Sequence, residues 1–487
     1  MTQGKQNEAG GTPATPVIEV RQGQHRGSDA RKADATSLPD GLPVPRRYWS
    51  AAVMILGITV TVFDGSMSNV ALPAISASLG IPASQAVWVV LAYSLTVVAC
   101  MLPLSAVAER VGFQRMFGLG MGIFLAASLS SALSTSMFQL VASRIGQGLG
   151  SAMLMCLFGG IVRNTYPLSK LGAGISVNAF TVGIMAVVGP TLGALLVQWF
   201  SWRAIFLVNI PLGLLAYVGL RQLPDIPRRS GPFDWTASAL SAALFALALF
   251  GLESLGGDPM RAALCLIAAT LIAWVLVRRS WTQPAPVVPV DLLRIRSVGY
   301  AVGASALFFA AQMGAFVSLP FYFKAAYGSS FADVGLYLGA WAIGGALMAP
   351  VSAYTAARYP VAILCGLGAL VMAAGLTGIL VAPASAGKVW LLACMFVGGV
   401  GFGFFQTPNN RAMLGSAPRH RSGAAGGMQA TTRVFGQGVG TALVGVSFQL
   451  GGAHGPAFGV GVAITCALGA LVINVLRQLD PTPDARF

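Results

Sequence analysis

Val60-Thr61-Val62-Phe63-Asp64-Gly65-Ser66-Met67-Ser68-Asn69-Val70-Ala71-Leu72-Pro73 lies in the outer half of a long apolar run that begins near Tyr48. It holds a carboxylate where the neighbouring residues promise no water. The other acids sit elsewhere. Glu8, Glu19, Asp29, Asp34 and Asp40 belong to a polar N-terminal stretch. Glu109, Asp225, Asp234, Glu253, Asp258, Asp291, Asp333, Asp480 and Asp484 fall at the ends of apolar runs, between them, or in the C-terminal tail. Asp64 is thus read as the one acid deep inside a run. A charge at bilayer depth costs at least ~2.5–3.5 kcal/mol, so such a residue is a functional candidate. The plainer readings are a cap on a helix broken at Gly65, or a simple pair with an arginine.

The surroundings make bilayer depth the right frame. Of 487 residues, 55% are hydrophobic and 9% charged, against about 25% charged in a soluble domain. The chain is therefore read as an all-α integral membrane protein. Sixty glycines fit, because small residues let membrane helices approach closely. The net charge of +15 would point to nucleic acid in a soluble protein. Here the basic residues gather in short connections, as membrane orientation requires, and no nucleic-acid partner is expected. Cys100, Cys156, Cys265, Cys365, Cys394 and Cys466 lie singly in apolar runs, and His25, His420 and His454 lie outside them. This pattern supports neither a metal site nor a disulfide framework, and implies no cofactor and no histidine proton relay.

Residues 1–46 are polar, lack the apolar core of a cleavable signal peptide, and are expected to form a disordered cytosolic tail. Fourteen runs long enough to span follow, at about 48–76, 85–107, 113–134, 138–162, 171–198, 203–221, 233–254, 259–281, 298–323, 331–355, 360–382, 388–408, 422–449 and 455–477. Alternate connections are rich in arginine, from Arg110 and Arg115 to Arg411, Arg419 and Arg421. The opposite ones hold only Arg203, Arg261, Lys324 and Lys388. Both termini are therefore expected in the cytoplasm. Polar, Pro-rich segments at Pro224–Arg229 and Trp281–Arg296 bracket the seventh and eighth runs. The expected organisation is a six-helix bundle over 47–221, a two-helix insert with its loops over 222–297, a second six-helix bundle over 298–478 and a short cytosolic tail over 479–487. Two-bundle transporters of this plan bind substrate near the midplane between bundles. Arg144 and Arg433 are the two arginines inside runs. Counting the helical rise from each span end puts Asp64 and Arg144 at similar depth and Arg433 close to the midplane.

Phe63-Asp64-Gly65-Ser66 with Asn69-Val70-Ala71-Leu72-Pro73 resembles the first-span motif of the fourteen-span drug/proton antiporters of the major facilitator superfamily. Arg144-Ile145-Gly146-Gln147-Gly148 is similar to that family's fourth-span Arg-x-x-Gln-Gly. Trp202-Arg203-Ala204-Ile205-Phe206-Leu207-Val208-Asn209-Ile210-Pro211 is similar to its Trp-Arg-Trp-Ile-Phe-x-x-Asn-x-Pro, with Ala204 in place of a tryptophan. Gly189-Pro190-Thr191-Leu192-Gly193-Ala194 resembles its fifth-span antiporter motif, although a kink with a smooth packing face explains Gly189, Pro190 and Gly193 equally well. The loop Ser105–Arg115 departs most from the superfamily's pattern. Glu109, Arg110 and Gly112 keep its charge pair and glycine, while Ser105 replaces a glycine. In the thirteenth span, Arg433 with Gly436, Gly438 and Gly440 resembles the family's Arg-Gln-x-Gly-Gly.

The resemblance implies the major-facilitator fold and a non-enzymatic, monomeric, proton-coupled exporter of small amphipathic compounds in a bacterial inner membrane. Asp64 and Arg144 would couple to protons. The substrate pathway is expected to draw on Asn69, Trp88, Tyr93, Gln147, Asn178, Gln312, Tyr337 and Arg433. A transporter of one anionic metabolite, with Arg433 binding its charge, is the alternative. A membrane enzyme finds no nucleophile elbow, phosphate loop or metal cluster in the sequence.

Overall fold

The computed structural model describes residues 41–167, 170–224, 234–281, 288–356, 358–383, 385–416 and 422–480. The tail before Gly41, the end of the chain after Asp480, Arg228, Arg229, Arg419 and Arg421 lie outside them. Among the described residues the chain is helical and has no strand. The long helices are α1 (Arg46–Leu79), α2 (Trp88–Val111), α3 (Phe113–Leu133), α4 (Met137–Thr165), α5 (Leu171–Trp199), α6 (Asn209–Val218), α7 (Trp235–Ser254), α8 (Pro259–Ser280), α9 (Arg296–Tyr327), α10 (Phe331–Thr355), α11 (Val361–Leu380), α12 (Lys388–Gly415), α13 (Ser422–Gly451) and α14 (Gly455–Leu479).

Twelve candidate membrane spans meet the length and apolarity a bilayer demands, among the described residues. One of the twelve, Ala424–Leu479, holds both α13 and α14, which turn at a short 3-10 segment, Gly452–His454. The sixth run, Ala204–Gln222, is one candidate span in which Ala204–Leu207, α6 and a 3-10 turn at Gly219–Gln222 follow one another. On α8, Leu264, Ile267, Leu271 and Trp274 are exposed. An apolar stripe of this kind suits acyl chains and would be costly in water.

Several of the acids at run ends prove to be helix caps. Asp234 accepts from the Ala237 N–H at 2.9 Å, starting α7, and Asp258 from the Arg261 N–H at 3.0 Å, starting α8. Ser330 and Asp333 form a capping box on α10. Glu253 departs from this pattern: it stands at the end of its run, as read from the sequence, but is buried rather than capping a helix start. It lies in the last turn of α7 and is only 8% exposed, because α7 packs against α2 and α13 as well as α8.

Helices α1–α6 form one group and α9–α14 another, and glycine sets their spacing. A Cβ on Gly150 of α4 would meet the Gly120 carbonyl at 2.6 Å and the Phe124 amide at 2.7 Å, both backbone of α3. The second group repeats the arrangement: a Cβ on Gly368 of α11 would meet the Gly401 carbonyl and the Phe405 amide of α12, each at 2.8 Å. Such internal duplication is the structural mark of a two-half transporter. On α5, Gly189 faces Ser66 and Gly193 faces Met67, so α1 and α5 lie side chain to backbone.

Call the end of the helices away from Arg46 and Leu479 the far end. There the two groups share apolar cores. Val317, Val444 and Phe448 pack among Phe63, Leu72, Ile75 and Val87. Val70 and Ala194 join Phe316, Leu319 and Trp341. Thr191 donates to the Gly335 carbonyl at 3.2 Å between α5 and α10. Toward the termini, the described cores stay separate. One runs from Val53 to Leu223, the other from Leu292 to Met428, each within a single group. The groups are clasped at the far end and unclasped at the other.

Because backbone atoms face Gly150, they cannot swing aside. Gly150→Val is expected to destabilise by at least the ~1–3 kcal/mol typical of overpacking. Gly122, on the same α3–α4 pair of helices, has nothing within 4 Å of an added Cβ. Gly122→Ala should leave stability unchanged or slightly raised. Thermal unfolding of the two purified variants in detergent checks the contrast.

Candidate functional site

The site is a carboxylate enclosed by side chains from five helices. Asp64, near the middle of α1, is 1% exposed, and Arg144, two turns into α4, is fully buried. Arg144 Nη1 lies 2.5 Å from Asp64 Oδ2. The other carboxylate oxygen, Oδ1, accepts from Gln147 Nε2 and from Asn209 Nδ2, each at 3.0 Å. Gln147 reaches this point because it follows Arg144 by three residues and shares its helix face. Its own amide is fixed by α3: Nε2 donates to Ser128 Oγ at 2.8 Å, and Oε1 accepts from Ser131 Oγ at 3.1 Å. Asn209 arrives from the first turn of α6.

Arg144 is held independently of Asp64. Its Nε donates to the Val89 carbonyl of α2 at 2.9 Å, and Nη1 also donates to Gln147 Oε1 at 2.8 Å. The Tyr93 ring lies 4.4 Å from the guanidinium carbon and the Phe206 ring 5.7 Å, within cation–π range. Tyr93 is fixed in turn by its hydroxyl bond to Ser151, 2.7 Å long. Nη2 is enclosed and has no protein acceptor.

This arrangement has a chemical consequence. Two charges removed from water are tolerable only as a well-bonded pair, and here the carboxylate accepts three N–H bonds. If a proton neutralises Asp64, its tie to Arg144 weakens, yet Arg144 keeps a carbonyl, an amide oxygen and two aromatic faces. The position of Arg144 therefore does not depend on Asp64 alone.

The Major Facilitator Superfamily model matches residues 54–441. The chain belongs to the Major Facilitator Superfamily. Among its relatives, the uncharacterized transporter YebQ of Escherichia coli (strain K12) is 38% identical over 92% of this chain and 99% of its own length. The riboflavin transporter RibZ of Clostridioides difficile (strain 630) is 29% identical over 82% of this chain and 88% of its own. The multidrug efflux pump LfrA of Mycolicibacterium smegmatis is 27% identical over 84% and 82%. At this family level the chain is a multi-pass membrane transporter acting on small molecules, not an enzyme.

Within this superfamily member the residues expected in the substrate pathway do not form one constellation. Tyr93 and Gln147 join Asp64 and Arg144. Trp88 instead donates from Nε1 to Glu253 at 3.0 Å. Asn69 donates to the Gly65 carbonyl of its own helix at 3.2 Å and approaches Met313 Sδ of α9 at 3.7 Å. Tyr337 is a core residue, buried and 4.8 Å from the Phe323 ring. Asn178 is half-buried on α5. Gln312 Oε1 on α9 and Arg433 Nε on α13 are enclosed without a protein partner, so each keeps a free bond for something else. Arg433 lies beside Val434, which packs with Val97, Val98 and Leu249 between the two groups. Gly112 turns the chain between α2 and α3 with φ 94°, a conformation that favours glycine. Glu109 and Arg110 fall on the last turn of α2, the side chain of Glu109 lying outside the described residues. Asn209 was not among the expected site residues, although the stretch Trp202–Pro211 contains it.

Removing one partner of a buried ion pair strands the other. Arg144→Leu should lower stability by about 3–5 kcal/mol. Adding Asp64→Asn to it should restore much of that loss, since no bare carboxylate remains. A double-variant cycle of thermal unfolding in detergent checks this; equal effects of Arg144→Leu with and without Asp64→Asn would contradict it.

Proposed function

We propose that this chain is a proton-coupled secondary exporter of small amphipathic organic compounds, a fourteen-span member of the drug/proton antiporters. Both termini would lie in the cytoplasm, with α7 and α8 inserted between two six-helix bundles. The reading rests above all on the enclosed Asp64–Arg144 pair with Gln147 and Asn209. Asp64 would take a proton when the site opens outward and release it when the site opens inward. Arg144, anchored on Val89 and Tyr93, would stay in place as its counter-charge. The far end, where the two groups share cores, would then be the outer gate in its closed position. The relative named as a multidrug efflux pump, LfrA, supports export. In proteoliposomes with an imposed proton gradient, Asp64→Asn is expected to insert and fold but to lose gradient-driven accumulation altogether. Accumulation at the native rate would overturn the assignment.

A second reading is kept by two observations: the unpartnered Nε of Arg433, and a relative named for one metabolite, riboflavin. If Arg433 binds substrate charge, Arg433→Gln should raise the KM for organic anions with little change in melting temperature. If it ties helix carbonyls together, transport and melting temperature should fall in step. Transport of several unrelated lipophilic cations by the native protein, with no organic anion competing, would favour the exporter over the metabolite transporter.

A further inference from the structure

Glu253 is a second buried acid, outside the Asp64 network, and it has no cation within ion-pair distance among the described residues. Its Oε1 accepts from Trp88 Nε1 of α2 at 3.0 Å and from Gln449 Nε2 of α13 at 3.1 Å. One carboxylate oxygen on α7 therefore ties a helix of the first group to a helix of the second. All three residues lie at the far end: Glu253 in the last turn of α7, Gln449 near the end of α13 and Trp88 at the start of α2. Packing surrounds the tie. The Trp88 and Phe250 rings meet edge to face at 6.0 Å. A Cβ on Gly445 of α13 would lie 3.7 Å from Val87 and 3.9 Å from Glu253. A Cβ on Gly256 would strike Gln449. Neither donor carries a charge, so the strength of both bonds depends on the charge of the carboxyl group. Bonds to an ionised acceptor are roughly twice as strong as neutral ones.

We propose that Glu253 is a proton-operated clasp on the far end: ionised, it holds α2 and α13 together through Trp88 and Gln449, and protonated, it releases them. No covalent bond changes; one proton adds to the carboxylate, the two N–H bonds to Oε1 weaken, and the groups part. This rests on the alternating access that transport requires, but not on Asp64 carrying the coupled proton. Other charged groups near Glu253 are few. From α8, Arg261 acts on it through space while pairing with Asp258 at 3.4 Å. From α2 and α13 the facing groups are Trp88, Val87, Gln449 and Gly445, none of them titratable. His454, in the turn after α13, stacks instead toward Phe458 of α14.

The test is a distance between the groups. Gln85, just before α2, and Leu450, at the end of α13, are both exposed and take spin labels as cysteines in the full chain. Pulsed electron resonance in lipid nanodiscs, from about pH 9 to pH 5, covers the range in which buried glutamates titrate. The native protein should shift toward the long distance on acidification. Glu253→Gln, neutral throughout, should show the acid distribution at every pH. Trp88→Phe, which keeps the carboxyl but loses one donor, should raise the long-distance fraction at neutral pH. It also serves if Glu253→Gln does not fold. Asp64→Asn and His454→Gln should both retain the shift. A native distribution that ignores pH, or a Glu253→Gln protein that still responds as the native one does, overturns the clasp. Loss of the shift in Asp64→Asn or His454→Gln assigns it to that residue and overturns the clasp as well. A flat distance beside active transport would sink the clasp alone. A responding distance in a protein that moves nothing would sink the exporter reading alone.

Discussion

A carboxylate and a guanidinium, both sealed from water, constrain everything around them. Burying either charge at that depth is costly, and the pair is tolerable only when it is well hydrogen-bonded. That demand draws α1, α4 and α6 together through Asp64, Arg144, Gln147 and Asn209. It adds α3 through Ser128 and Ser131, and α2 through Val89 and Tyr93. The first group is thus organised around a polar centre, while the second, around Phe308, Phe405 and Trp341, is organised around an aromatic one. The two halves thus differ in kind, a buried charge pair in the first and packed rings in the second.

The backbone makes the two halves movable as units. Close glycine contacts between α3 and α4, and again between α11 and α12, stiffen each half internally. Between the halves lie side chains at the far end, the Thr191–Gly335 bond, a close approach of Gly335 on α10 to α5, and the bridge through α7. Stiff bodies joined by a limited seam suit rigid-body rocking around a fixed site. Position along the helix decides which contacts a rocking motion must break, and Glu253 sits where breaking begins.

Much of this was legible in the sequence, for specific reasons. Asp64 and Arg144 stand out because charge deep in an apolar run has few explanations, and helical rise alone puts them at similar depth. Gln147 was legible as polar and in-motif, but not its direction: three residues on from Arg144, it donates to the Asp64 carboxylate. Asn209 lay inside a quoted motif, yet only the packing of α6 against α1 shows that its amide faces Asp64. Glu253 was illegible in one dimension. At the end of a run it looks like the caps Asp234 and Asp258, and only the covering of α7 by α2 and α13 buries it. Tyr337, a polar aromatic, lies in the core of the second group, which its sequence position alone did not reveal.

Protonation of Asp64 itself can be watched without knowing the substrate. Infrared difference spectra of the purified protein between neutral and acid pH report carboxylates that become carboxylic acids. The native spectrum is expected to contain a protonated-carboxyl band, in a shifted, buried position, that disappears in Asp64→Asn and persists in Glu253→Gln. A native spectrum that Asp64→Asn leaves unchanged would mean that Asp64 stays ionised throughout, and would contradict its role as the proton's carrier.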